Sequence, residues 1–390
     1  MRGGFLLDPE IVHLNHGSFG ACPTPVFEEY QAIQRELEAG PTDFFTRKAA
    51  GWFWGDVERP GRLAAARGEL ADFVGARAED LVFVPNATSG LNAVIRSLRL
   101  DAGDEVLTTG QEYGAIARTW EFVGAKLILC EPDEIVERIG PKTRAISVSH
   151  ISSPTALLFP VEEVCAAARS AGVLSIVDGA HAPGQIPLAL DALGADIYAG
   201  NCHKWLCAPK GAGFLWARPE QQSWIEPLVV SWGYRDGADF AERHGWAGTR
   251  DPAAYLAVPK AIDVHATFDL EGSRALADDA ESRLKRLGHG RVEGIPAPFM
   301  RAVELPPGDP DELWRRLFEE FRIEVPVYEW EGRRLLRVSV GLIPRRAISR
   351  SSSARSSNCS RCAHTVYAEG GRADIAAGRA SRGDHTFDRL

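Results

Sequence analysis

From about residue 60 to residue 216, short apolar runs alternate with stretches of amphipathic period. The runs Leu81–Pro85, Glu105–Thr109, Lys126–Cys130, Ala145–His150, Val173–Asp178, Ile197–Gly200 and Gly213–Trp216 are rich in Val, Ile and Leu and predict seven strands. Between several of them, Ser89–Leu98 and Val161–Ala171 repeat their apolar positions every three to four residues and predict helices. Strands and helices in alternation predict an α/β unit whose mainly parallel sheet is covered on both faces. Beyond about residue 250 the pattern changes. A long helix is expected over Pro252–Phe268 and another near Arg274–Leu287. An α+β segment follows from Val292 to Val340, with strands Ala302–Leu305, Val325–Tyr328 and Leu335–Val340 around a helix Pro310–Phe321. The expected organisation is an N-terminal arm (1–20), a large domain (21–250), a small C-terminal domain (251–340) and a tail (341–390).

That tail has neither period. Residues 341–390 hold nine arginines, no lysine and four acids, a net +5 against −14 for residues 1–340. The segment Ser349-Arg-Ser-Ser-Ser-Ala-Arg-Ser-Ser-Asn358 has too little apolar content to pack. Either it is a disordered basic tail, or the reading frame changes after about Val340.

Composition narrows the class. With 390 residues the chain can bury one large core and a smaller one. A net charge of −9 and no sustained basic stretch before the tail argue against a nucleic-acid binder. No apolar run approaches the length that spans a bilayer, and the opening residues lack the apolar core of a signal peptide. The seven cysteines are scattered, mostly in apolar runs, and read as small core residues in a reducing cytoplasm. Cys359-Ser-Arg-Cys362 with His364 is too little for a metal site, and none is expected.

The chemistry lies at strand ends, where ligands sit in sheets of this kind. The run Val173–Asp178 stays apolar until it stops on Asp178, with His181 three residues on. The run after Ala195 ends at Asn201-Cys-His203-Lys204-Trp205. Lysine is scarce here, seven of the 44 Lys and Arg, so a lysine at a buried strand end points to a need for a deprotonatable amine. Burial and a neighbouring cation would supply the neutral amine that forms Schiff bases. Asn86-Ala87-Thr88-Ser89 opens a helix after a strand, which suits an anion, although an ordinary N-cap would look the same. Tyr113, after the next strand, could stack on a planar ring. An acid, an amine, an anion site and an aromatic on successive strands suit a carbonyl cofactor with a basic ring nitrogen, pyridoxal 5'-phosphate (PLP).

At these residues the chain resembles the class V aminotransferase family of fold-type I PLP enzymes, in particular its isopenicillin N epimerase-like members. Cysteine desulfurases are more distant relatives. The likeness runs over about residues 5–340 through Leu14-Asn-His-Gly-Ser-Phe-Gly20, Asn86-Ala-Thr88, Glu112-Tyr-Gly-Ala115, Val177-Asp-Gly-Ala-His181, Gly200-Asn-Cys-His-Lys-Trp205 and Pro209-Lys-Gly-Ala-Gly213. It implies a large domain with a mainly parallel seven-stranded sheet and a smaller α+β domain. By the resemblance Lys204 is the Schiff-base lysine, Asp178 the partner of the pyridine nitrogen, Tyr113 the residue that stacks on the ring, and His181 the one near its phenolic oxygen. Ala87, Thr88, Asn201 and His203 match the phosphate cradle. Thr249 matches the residue that reaches the neighbouring subunit's phosphate, which implies a homodimer with shared sites. Arg337 matches the arginine for a substrate α-carboxylate, and Asn15 and His16 lie in the lip of the substrate pocket.

The implied activity is inversion at Cα of an amino acid or a derivative, as an epimerase or racemase, with His16 a candidate second proton carrier. Alternatives sharing the first steps are C–S lyase or cysteine desulfurase chemistry and transamination. No cysteine lies between Cys207 and Cys359, so a small-domain nucleophile for desulfuration is missing. Family members continue past the Arg-x-Ser motif into a turn and a closing helix, which Gly341-Leu-Ile-Pro-Arg-Arg346 replaces. A change of frame near residue 340 explains that departure. It also leaves open a non-catalytic, dimeric pseudoenzyme.

Overall fold

The computed structural model describes residues 4–48, 61–286 and 289–345. Its centre is a seven-stranded sheet. In chain order its strands are β1 (Leu81–Val84), β2 (Glu105–Thr108), β3 (Lys126–Leu129), β4 (Thr143–Ser149), β5 (Leu174–Gly179), β6 (Ile197–Asn201) and β7 (Gly213–Ala217). They lie in the order β1-β7-β6-β5-β4-β2-β3. Only β7 runs against its neighbours β1 and β6; all the other pairings are parallel. The strands β1, β5, β6 and β7 are buried at every residue, which is why they read as unbroken apolar runs. Two separate apolar clusters cover the two faces.

All seven predicted strands form, each within a residue or two of its expected ends. Differences concentrate further along. The long helix expected over Pro252–Phe268 divides into Ala253–Leu256 and Val258–His265, and the chain then enters a short strand, Phe268–Asp269. Pro259 has no N–H to extend the first helix, but it suits the first turn of the second.

A second, four-stranded antiparallel sheet runs Gly290–Arg291, Met300–Leu305, Arg333–Ser339, Val327–Trp330. Helices Leu270–Arg286 and Pro310–Phe321 pack on it. The N-terminal segment ties the two sheets together. Val12–His13 pairs in parallel with Ile323–Glu324, and Ser339 N–H donates to the Leu14 carbonyl at 2.8 Å. Ordered structure continues past Val340. Leu342 is buried and Ile343–Pro344 pairs antiparallel with Phe268–Asp269. The remainder of the basic tail, including Cys359, Cys362 and His364, lies outside the described residues.

Candidate active site

The carboxyl ends of β4, β5 and β6 and the start of helix Ala87–Ser97 converge on a cleft of about 230 Å3. Ser18, Phe19, Asn86, Thr88, Tyr113 and Ser149 line one part of it. Asp178, His181, Asn201, His203 and Lys204 line another. Seven of the residues expected from the sequence therefore meet in one place: Thr88, Tyr113, Asp178, His181, Asn201, His203 and Lys204.

Asp178 is buried, and its Oδ1 accepts a hydrogen bond from the Ala180 N–H at 2.9 Å. Burial pushes its carboxyl above the ordinary carboxylate range, with the Ala180 hydrogen bond and the nearby Lys204 charge pulling back. A buried acid in that state is stabilised by a cationic N–H partner, which a pyridinium ring supplies. The Lys204 Nζ lies 3.0 Å from Nε2 of His181. Burial lowers the Lys204 amine to about 7, and the Arg337 charge adds to that while Asp178 opposes it. At neutral pH a large share of this lysine is an uncharged nucleophile.

His181 is held well below its usual pKa by burial and by the charges of Lys204, Arg337 and His203, so its ring is neutral. The Trp205 indole N–H points at its Nδ1 from 3.4 Å. His203 is lowered to about 4, chiefly by burial, and its Nδ1–H donates to the Ala212 carbonyl at 3.1 Å.

The anion corner is built by the Asn86 cap. Asn86 Oδ1 accepts the Ser89 N–H at 2.8 Å and opens helix Ala87–Ser97 toward the cleft. The Ala87 N–H donates to Asn201 Oδ1 at 2.8 Å, so Ala87 orients Asn201 and does not itself line the cleft. Thr88, Asn201 and His203 remain at the wall. Tyr113 lines the cleft and is 49% exposed.

Arg337 enters from the smaller sheet. It is buried, and its Nη1 donates to the Ser153 carbonyl at 2.6 Å and to the Ser153 hydroxyl at 3.0 Å. Its Nη2 donates to the Ser18 hydroxyl at 2.9 Å, while Nε is buried with no partner. Ser18 in turn donates to Asn15 Oδ1. Asn15 thus acts behind Ser18 and outside the lining. His16 is buried too. Its Nε2 faces the Lys204 backbone carbonyl at 3.0 Å, and its ring packs on Trp205. Burial lowers His16 to about 3, so it serves as a strut under the lysine loop and is out of line to carry a proton in the cleft. Thr249 is exposed and does not line this chain's own cleft.

Sequence reasoning missed Ser18, Ser149, Ser153 and the part played by Glu112. Glu112 accepts from the Ser149 N–H at 3.0 Å, the Ser149 hydroxyl at 2.8 Å and the Thr109 hydroxyl at 3.0 Å. Burial raises its carboxyl to about 7; the Asp178 charge adds to this, and the Ser149 and Thr109 donors oppose it. A hint was present in the chain, because Ser149 ends the strand next to that of Asp178.

The donor set fits PLP on its own terms: a cap and hydroxyls for a phosphate, a buried acid lacking a cationic hydrogen-bond partner, and a neutral amine between them. The family profile described as Aminotransferase class-V matches residues 61–302. The chain belongs to that family. It is 39% identical over 377 residues to isopenicillin N epimerase of Amycolatopsis lactamdurans, covering 85% of this chain and 91% of that protein. It is 36% identical over 376 residues to isopenicillin N epimerase of Streptomyces clavuligerus, covering 87% and 92%. Among solved structures, the apo cysteine desulfurase of Thermococcus onnurineus NA1 superposes with a TM-score of 0.76 at 19% identity, covering 95% of this chain and 97% of that one. The fold is that of the fold-type I enzymes, and the protein is a PLP-dependent class V enzyme.

Proposed function

We propose that this enzyme is an epimerase or racemase that inverts Cα of an amino acid or amino-acid derivative. One observation carries the reading. Arg337 is a buried guanidinium with no carboxylate partner among the described residues, and it sits directly behind Ser18 and Ser153, which line the cleft that holds Lys204 and to which it donates. A guanidinium so placed favours a substrate α-carboxylate, because it gains there the counter-ion its surroundings withhold. The names of the two bacterial relatives add the reaction class.

Bound through Lys204, the coenzyme supplies an electron sink that makes the Cα proton of an amino acid removable. The chain's own residues do the rest. Thr88, Asn201 and His203 hold the phosphate, and the Asp178 carboxylate keeps a proton on the ring nitrogen. Tyr113, at the cleft, would stack on the ring and limit water. Arg337 would orient the substrate by its carboxylate, and the Lys204 amine would exchange the Cα proton on its own face; inversion also requires a proton delivered to the opposite face by a second donor or by solvent. An amine that titrates near 7 exists in both forms at neutral pH, as that exchange requires.

We further propose a homodimer acting in the cytoplasm. Thr249 is exposed away from its own cleft, in keeping with a reach toward a partner's phosphate. The five described cysteines are all unpaired, which suits a reducing compartment. Among the described residues no helix is long and apolar enough to cross a membrane.

The test is to incubate the coenzyme-loaded protein with L-amino acids and N-terminal α-aminoacyl derivatives in D2O. The expected result is the D-isomer with deuterium at Cα. Pyruvate with sulfide would identify a C–S lyase, and a keto acid would identify an aminotransferase; either would overturn the epimerase reading.

A further inference from the structure

One imidazole touches both the reactive lysine and the residue that follows it. Trp205 Nε1 lies 3.4 Å from His181 Nδ1, and Lys204 Nζ lies 3.0 Å from His181 Nε2. An indole nitrogen can only donate. Its hydrogen therefore needs the Nδ1 lone pair, and the single proton of the neutral ring must sit on Nε2. That N–H faces Nζ. It finds an acceptor there only if Lys204 is an uncharged amine. An ammonium at the same place would set N–H against N–H. To receive it, the ring would have to move its proton to Nδ1 and surrender the indole bond.

The indole is not free to turn away. Trp205 is fully buried, with its ring 5.0 Å from that of His16 and 5.6 Å from that of Phe299. His16 is itself fixed to the Lys204 carbonyl. Nor does a second proton on His181 offer an escape. The groups facing it are Lys204 and His203 on its neighbouring loop and Arg337 from the smaller sheet; Asp178, at the end of β5, faces Lys204. Three of these four oppose a cation on the ring.

We infer that Trp205 is a positioning residue: through the tautomer it imposes on His181, it holds the Lys204 amine in its neutral, nucleophilic form. The functional consequence rests on the reading of Lys204 as the coenzyme lysine, whereas the bond pattern is a property of the coenzyme-free chain. Trp205→Phe keeps an aromatic ring against His16 and Phe299 and removes the donor together with part of the indole's volume. His181 is then free to present a lone pair to the ammonium, and the lysine becomes more basic.

The experiment measures Lys204 in the coenzyme-free protein by competitive acetylation across pH, read by peptide mass spectrometry. The wild-type midpoint is expected near 7. In Trp205→Phe it rises by about one pH unit, a roughly tenfold loss of neutral amine at pH 6. In a His181→Ala background the same substitution has no further effect, because the relay is already gone. An unchanged midpoint in Trp205→Phe, or an equal shift in the His181→Ala background, overturns the inference. Nitrogen NMR of the histidine-labelled wild-type protein supplies a test that needs no Trp205 variant: His181, assigned by its loss in His181→Ala, must show a bare Nδ1 and a protonated Nε2. The opposite tautomer overturns the inference. A shift as expected, with no coenzyme trapped on Lys204, would uphold the tautomer relation and sink the reading of the site.

Discussion

Ser149 and Asp178 are Cα partners at the ends of the parallel strands β4 and β5. That pairing brings a second acid to the coenzyme's acid, because both donors of Ser149 are taken by Glu112. The Asp178 charge adds to the burial that raises Glu112, and a cationic partner bound at Asp178 would relieve that repulsion.

The first prediction concerns pH and stability. The folded carboxyl of Glu112 titrates near 7, above its ordinary value near 4.5, so the fold binds this proton more tightly than the unfolded chain does. Its contribution is present below about 4.5 and is lost as the pH rises through 7. In coenzyme-free protein, wild type should therefore lose stability relative to Glu112→Gln, which stays neutral, as the pH rises. Denaturant unfolding should show the wild-type advantage over the variant shrinking by on the order of 1–3 kcal/mol between about pH 5 and pH 8. A pH-independent difference would contradict the assignment.

A second prediction separates stability from function at Asp178. Asp178→Asn removes a carboxylate whose ionisation is opposed by burial. The coenzyme-free variant should melt no lower than wild type above neutral pH. Activity should nonetheless fall by about 100-fold or more, since an amide does not hold a proton on the ring nitrogen. Melting curves and initial rates on the same preparations check both halves.

Arg337→Met should weaken substrate more than it slows turnover. Losing a charge-assisted contact of about 1.5–3 kcal/mol corresponds to roughly a 10- to 150-fold rise in KM. A variant with unchanged KM for α-amino acids would show that the carboxylate binds elsewhere.

Lys204 should carry the coenzyme. Borohydride reduction of the loaded wild-type protein should leave one pyridoxyl adduct on the peptide that contains Lys204, and Lys204→Ala should leave none. An adduct on Lys210, the nearest lysine in sequence, would displace the assignment.

Gly20 pins the N-terminal segment to the lysine loop. Its φ is +70°, and a Cβ there would come within 1.8 Å of the His203 carbonyl oxygen. Gly20→Ala should cost more than about 1 kcal/mol from backbone strain alone, with the clash added. Because His203 and Lys204 move with that carbonyl, coenzyme affinity should fall together with stability, as visible absorbance titration would show.

Much of this was legible in the chain, and for definite reasons. Strands buried on both faces leave unbroken apolar runs, so β5 and β6 declare their ends, and Asp178 and Lys204 stand at those ends. The tight lysine loop declares itself by scarcity of lysine. Contacts set by distant pairing were not legible. Ser18 reaches Arg337 only because the first residues run alongside the smaller sheet, and Ser153 does so through a loop with no period of its own. Thr88 follows β1 and His203 follows β6, five strands later in the chain, yet both line the cleft because only β7 separates β1 from β6 in the sheet. The place of His16 was not legible either, because its Nε2 contact with the Lys204 carbonyl is set by the distant lysine loop.

The hairpin of the smaller sheet, Val327–Trp330 and Arg333–Ser339, grips the larger one at three points. The Tyr328 hydroxyl donates to the Pro154 carbonyl, the Trp330 indole donates to the Gly110 carbonyl at 3.1 Å, and Arg337 holds Ser153. Gly110 begins the turn that carries Glu112 and Tyr113, so the hairpin that bears Arg337, the proposed carboxylate anchor, also braces the turn that carries the proposed stacking aromatic. If Arg337 binds the substrate carboxylate as proposed, a ligand lacking that group would lose purchase on the same hairpin that braces the Tyr113 turn.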